Sequence, residues 1–150
     1  MPAGLVAPSQ PINVSGTNAF DITPTITGTG FIIVENNGGH VAATESGPGG
    51  IKILNNGAAV AATLTSTAPS AALIIVNNGQ VMTATNTGNG VMDITSDATG
   101  AVTVTNTGNG NVTVKATGAA AITITHTGDD DVVYGAPVVL PPSNVTVTGT

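Results

Sequence analysis

The stretch TVTNTGNGNVTVKATGAAAITITHTG, Thr103 to Gly128, carries one short phrase and returns to it. Thr-x-Thr-x-Thr-Gly stands at Thr103, Thr105, Thr107 and Gly108, and again at Thr123, Thr125, Thr127 and Gly128. Between the threonines sit Val104 and Ile124, preceded by Val102 and Ile122, so apolar and polar residues alternate with period two. That is the pattern of a half-buried strand, and the β-branched residues that dominate it suit a pleated surface. Each run then meets Gly, Asn or Asp, as in "GNG" at 108–110 and "GDDD" at 128–131. Such residues accept the positive φ of a tight corner. Nothing here reads as a helix.

Working outward, rows of ten that start at residues 21, 61, 81, 101 and 121 place threonine at the third, fifth and seventh positions. These are Thr23, Thr25, Thr27; Thr63, Thr65, Thr67; Thr83, Thr85, Thr87; and the two triplets above. Only the row at 41 departs, with Ala43, Glu45 and Gly47. From residue 21 to residue 140 the second and fourth positions of each row are apolar except at Thr44 and Lys52. A regular period of this length signals a repeat architecture. The expected fold is all-β: a two-sided parallel β-solenoid whose 20-residue coil comprises two 10-residue strand-turn units, about six coils in all. An even period keeps the inward and outward sides aligned from coil to coil. The sixth position, with Ser66, Asn86, Asn106 and His126, falls on the inward side and reads as a polar ladder at the corner. Around 71–76, "AALIIV" disturbs the phase.

Composition narrows the class. The 150 residues are 41% hydrophobic, but with two Phe, one Tyr and no Trp the core must be thin and layered. Net charge is −6 with only two basic residues, Lys52 and Lys115, which excludes phosphate-neutralising contact with nucleic acid. No apolar run approaches the ~20 residues of a membrane span. Cysteine is absent, so there is no disulfide framework or thiolate metal site. The opening "MPAGLVAPSQP" lacks the basic and apolar regions of a secretory signal. Residues 1–20, with Pro2, Pro8 and Pro11, read as a cap or edge segment; 21–136 as the solenoid; and 137–150 as a spacer through Pro141 and Pro142 followed by a final strand. That strand is out of phase with the rows before it. Its residues Asn144, Val145, Thr146, Val147 and Thr148 are the expected assembly segment, exchanged with a neighbouring subunit as an added strand.

An enzyme is not expected. The carboxylates Asp21, Glu35, Glu45, Asp93, Asp97 and Asp129 to Asp131 form no evident cluster with a lysine, and no nucleophile elbow occurs. His40 lies in a Gly-rich turn and His126 has no second ligand at metal-binding spacing. Calcium at Asp129–Asp131 is the one cofactor the residue types admit, an ordinary solvated turn being the competing reading. Sequons occur at Asn13, Asn111 and Asn144.

The threonine rows, with hydroxyls ~6.7 Å apart along a strand and ~4.8 Å apart between coils, resemble the Thr-x-Thr face of ice-binding β-solenoids. That resemblance implies an ice-facing surface at Thr65, Thr67, Thr83, Thr85, Thr87, Thr103, Thr105, Thr107, Thr123, Thr125 and Thr127, from which the broken row at 41 separates Thr23, Thr25 and Thr27. Over residues 21–136 the architecture also resembles secreted fibre subunits and functional amyloids of the curli type, though without their fixed internal Gln and Asn; Gln occurs only at 10 and 80. This second resemblance implies stacking of like on like. The reading is therefore a structural subunit of an extracellular or surface fibre, a homopolymer that grows head to tail. An ice-binding protein and a virion fibre or spike segment are the alternatives.

Overall fold

The computed structural model describes residues 5–7, 11–18, 21–54, 56–77, 80–96, 100–116, 121–128, 132–134 and 145–149. Fifteen strands, with no helix among the described residues, form two parallel sheets. The odd sheet runs β1 (Leu5–Ala7), β3 (Pro24–Ile26), β5 (Val41–Glu45), β7 (Val60–Leu64), β9 (Met82–Asn86), β11 (Val102–Asn106), β13 (Ile122–His126), β15 (Val145–Gly149). The even sheet runs β2 (Ile12–Asn18), β4 (Phe31–Asn37), β6 (Gly50–Leu54), β8 (Ala72–Asn77), β10 (Val91–Ser96), β12 (Val112–Ala116), β14 (Val132–Tyr134). Successive strands alternate between the sheets, and each pairs with the strand two further on. That is the expected β-solenoid.

The coil is not uniformly twenty residues long. Thr25 pairs with Thr44 and Thr44 with Thr63, steps of nineteen; Thr63 pairs with Thr85, a step of twenty-two. From Met82 to Val102 and Ile122 the step is the expected twenty, and Ile122 reaches Val145 in twenty-three. Odd steps do not flip the side chains, contrary to expectation, because the extra or missing residue falls in a corner and not in a strand. The inward residues of β5 and β6 are thus Val41, Ala43, Glu45, Ile51 and Ile53, while Thr44 and Lys52 point to solvent. The two polar exceptions of the sequence pattern are an artefact of even counting. For the same reason Leu73 and Ile75 of β8, and not Ala72 and Ile74, face inward.

Both ends take part in the sheets. β1 pairs with β3 and β2 with β4, so the segment expected as a cap or edge supplies an edge strand to each sheet. At the other end β15 pairs in parallel with β13 of its own chain, Ile122 opposite Val145 and Thr125 opposite Thr148. Its three-residue departure from the row count is taken up before the strand begins. Asn144 and the Pro141–Pro142 spacer lie outside the described residues.

Glycine marks the corners for a reason other than backbone handedness. None of the corner glycines Gly88, Gly90, Gly108, Gly110 and Gly128 adopts a left-handed φ. A Cβ on Gly108 would instead land inside the carbonyl of Gly88, and one on Gly128 would crowd that of Gly108. Stacked corners approach as closely as stacked strands, with no room for a side chain between them.

The interior is one cluster of Ile, Val, Leu, Met and Ala from both sheets. Small residues on β5, β7 and β9 (Ala43, Ala62, Ala84) lie in the same core as Ile53, Ile75 and Ile94 of the even sheet, as a thin, close-packed layer requires. Val104 is fully buried and flanked in register by Ala84 and Ile124, whereas Thr105 faces outward. Val104→Asp places an uncompensated carboxylate in that layer and is expected to cost upwards of about 4 kcal/mol. Thr105→Ser should stay within about 1 kcal/mol. Thermal melts of the two variants check this, and equal destabilisation would mean that the inward and outward sides are reversed.

Candidate functional site

Two arrays of polar side chains run along the solenoid axis, one outside and one inside. The outer array covers the odd sheet. Its central rank is Thr25, Thr44, Thr63, Thr85, Thr105, Thr125 and, by register, Thr148, each paired with the next. A second rank, held from Ser46 onward by backbone bonds from each residue to the coil before, is Thr27, Ser46, Thr65, Thr87, Thr107 and Thr127, all exposed. The remaining rank reads Thr23, Ala42, Ala61, Thr83, Thr103, Thr123 and Thr146 by register. The break expected at the row starting at 41 is therefore absent from the central rank. Thr44 fills it, displaced by one number and not by one place.

Of the threonines expected on this face, all but Thr67 lie in the lattice. Thr65 sits one place along from its expected position, Thr63 joins the central rank, and Thr67 falls at the corner, where its carbonyl accepts from Asn89 Nδ2 at 3.1 Å. Among the described residues no charged side chain interrupts these ranks. A signal for the true register was present: "VAAT" stands at both 41–44 and 60–63, nineteen residues apart, and "NNG" at both 36–38 and 55–57.

The inner array lies at the corner that follows the odd strands. Asn86 Nδ2 donates to Asn106 Oδ1 at 3.0 Å, and Asn106 Nδ2 lies 3.1 Å from His126 Nδ1. Each amide also bonds its own corner: Asn86 to the Gly90 carbonyl at 2.6 Å, Asn106 to the Gly110 carbonyl at 2.7 Å, and Gly88 N–H back to Asn86 Oδ1 at 3.1 Å. All three side chains are buried. This satisfies polar groups that burial would otherwise penalise, and it ties one corner to the next. Ser66 is buried but does not share the rank; its Oγ accepts from Ala68 N–H at 3.2 Å, and Leu64 holds the place beside Asn86. A second ladder stands at the corner after the even strands, where Asn37 Nδ2 donates to Asn56 Oδ1 at 3.0 Å.

The nineteen-residue steps put an acid into the first ladder that even counting hides. Glu45 occupies the place of Asn86 two coils away, between Ile26 and Leu64, and is fully buried. One carboxyl oxygen, Oε1, accepts from Gly47 N–H at 2.7 Å, while Oε2 is buried without a partner. Desolvation pushes its pKa up from 4.5 to about 7, against the opposing pull of the Gly47 N–H.

The remaining candidates lie apart. Asp21 accepts from the His40 N–H at a corner, through Oδ1 at 3.0 Å, and His40 itself is exposed. Glu35, Lys52, Asp93 and Lys115 share the outer side of the even sheet. Asp97 and Asp129–Asp131, the expected calcium position, lie outside the described residues. Among the described residues no three His, Asp or Glu side chains converge as a metal site.

No protein-family model, no curated protein and no solved structure matches the chain. What can be stated of its class is therefore architectural: it is a β-solenoid repeat protein.

The buried acid sets a direction for pH. Between about 4.5 and about 7 the folded chain holds a proton at Glu45 that the unfolded chain releases, so stability falls as pH rises through that window. The stabilisation is complete below 4.5 and lost above about 7, amounting to roughly 3 kcal/mol. Glu45→Gln keeps the acceptor for Gly47 and removes the titration. Melting temperature against pH should slope downward for the wild type and lie flatter for this variant; parallel curves would place the acid in water.

Proposed function

We propose that the chain is a structural β-solenoid segment of an extracellular or surface fibre, growing by stacking of coil on coil. The observation that supports this reading most directly is the pair of open ends. Among the described residues β1 and β15 finish the odd sheet, β2 and β14 the even sheet, and each end strand has a ladder partner on one side only. Unpaired parallel edges template further strands, and soluble proteins blunt them with lysine, bulges or a covering element. Both lysines of this chain lie elsewhere, on β6 and β12, and the one irregular end strand is β2, whose pairing with β4 shifts register between Ser15 and Asn18, so the odd-sheet edges carry the argument. Polymerisation then repeats between subunits the register that operates within one. Strand exchange through residues 145–149 fits the same logic, since a neighbour's equivalent strand presents the same edge that β13 presents to β15.

Purified protein is expected to form filaments in electron micrographs, with a ~4.8 Å axial repeat in diffraction. Removing residues 141–150 should shorten them while the circular dichroism stays β-rich. Protein that remains unassembled at millimolar concentration would end the fibre reading, and full-length filaments from the truncated chain would end the exchange.

A second reading, ice binding through the odd sheet, is favoured by one specific observation: the central rank runs without a gap from Thr25 to Thr125, with Thr148 next in register. A surface must be continuous to match a crystal plane, and the central rank is. Thr105→Tyr at the middle of the face should abolish thermal hysteresis and leave the melting temperature within a few degrees. Wild-type protein that neither shapes ice crystals nor depresses their growth would remove the reading.

A further inference from the structure

The even sheet carries a pattern that neither reading uses. Its outward side is arranged in columns, each residue in register with its neighbours on adjoining strands. One column is Ile33, Lys52, Ile74, Asp93, Thr113 on β4, β6, β8, β10 and β12. The next, two residues along each strand, is Glu35, Leu54, Val76, Thr95, Lys115. Both lysines of a chain with net charge −6 are here, with two carboxylates, so among the described residues the face is neutral on an acidic protein. β8, the central strand of seven, shows only Ile74 and Val76 in these columns, each half-buried.

The charges are ordered as an antisymmetric palindrome about β8. β4 bears Glu35 and β12 bears Lys115, at the same position along the strand; β6 bears Lys52 and β10 bears Asp93, again at one position. A two-fold axis parallel to β8 reverses strand order and preserves position along the strand. It therefore sets β4 against β12 and β6 against β10 of a second copy. Every acid meets a lysine in its own column, and Ile74 and Val76 meet themselves at the axis.

We propose that this face is the interface of a two-fold dimer, the two solenoids packed sheet to sheet with their long axes antiparallel. Glu35 pairs with Lys115 of the second copy and Lys52 with its Asp93, giving four ion pairs around an apolar centre. Facing sheets lie ~10 Å apart, a gap that a lysine and a carboxylate extended toward each other span. Seven strands at ~4.8 Å by five residues at ~3.3 Å cover roughly 550 Å² per copy, about 1,100 Å² for the pair, enough for a specific interface. Isologous contacts of this kind are the commonest way soluble chains associate. The other side of the solenoid, the threonine ranks, stays open to solvent on both outer surfaces of the dimer.

Sedimentation equilibrium of the full chain at low salt tests this directly. The wild type should reach a mass of two chains by ~100 µM, and Lys52→Glu should weaken association at least tenfold, since it sets Glu against Asp twice per dimer. Lys52→Glu combined with Asp93→Lys restores the pairing with its signs reversed and should recover wild-type affinity. All these positions are exposed, so circular dichroism should be unchanged throughout. If chains also stack end to end, filament width gives the same comparison: paired for the wild type and the double variant, single for Lys52→Glu. A wild type that is monomeric at ~100 µM, a Lys52→Glu variant that associates as well as wild type, or a double variant that fails to recover would each overturn the dimer.

Discussion

Everything in this molecule follows from the spacing of a parallel β ladder. Backbone amides and carbonyls of one strand meet those of the next only at ~4.8 Å, and each chain segment must return to that distance once per coil. The requirement extends to the corners. It explains why a glycine sits beneath another glycine from Gly88 to Gly108 to Gly128, and why an asparagine amide can bond both its own corner and the asparagine of the adjoining coil. The threonine ranks, the amide ladders and the glycine columns are the same constraint met on the outside, at the inner corner and in the backbone.

Within that spacing the chain controls only parity. A strand that keeps its inward residues inward can be joined to the next by corners of different length, and the four step lengths between paired strands show that this latitude is used. The interior tolerates variation for a related reason. Because the layer is thin, Ala, Val and Ile interchange along one column, from Ala43 to Ala84 to Val104 to Ile124, without aromatic side chains whose fit would tie one coil to a particular neighbour. Glu45 is the exception, a carboxyl in a column otherwise made of apolar, amide and imidazole side chains.

How much of this could be read beforehand depended on where the repeat is regular. From Met82 onward, alternation and the return of Thr-x-Thr gave strand, facing and register together, since the step is twenty and a fixed frame matches the fold. Between Thr25 and Thr85 a fixed frame fails twice. It assigned Thr44 and Lys52 to the interior and left Glu45 outside, because a corner one residue short is invisible to counting by tens. It also placed Ser66 in the amide ladder and Thr67 in the outer lattice, where the longer step had moved both to the corner. The pairing of β15 with β13 could not be counted at all, since Pro141 and Pro142 make the intervening length a poor guide to where the strand lands. Local alternation is a property of a few residues; register is a property of the closed coil.

The placement of odd lengths in corners has a meaning for how such a gene changes. Loss or gain of a single codon is usually ruinous in a sheet, because it turns the buried side out. Here the unequal steps show the same event absorbed at corners, while four residues away it would turn the buried side out. Replication slippage over a tandem of near-identical coils can then lengthen or shorten the rod, and small errors at the junctions need no compensating change elsewhere. The solenoid can be edited in length, coil by coil, while its inward side stays inward and its outward side outward.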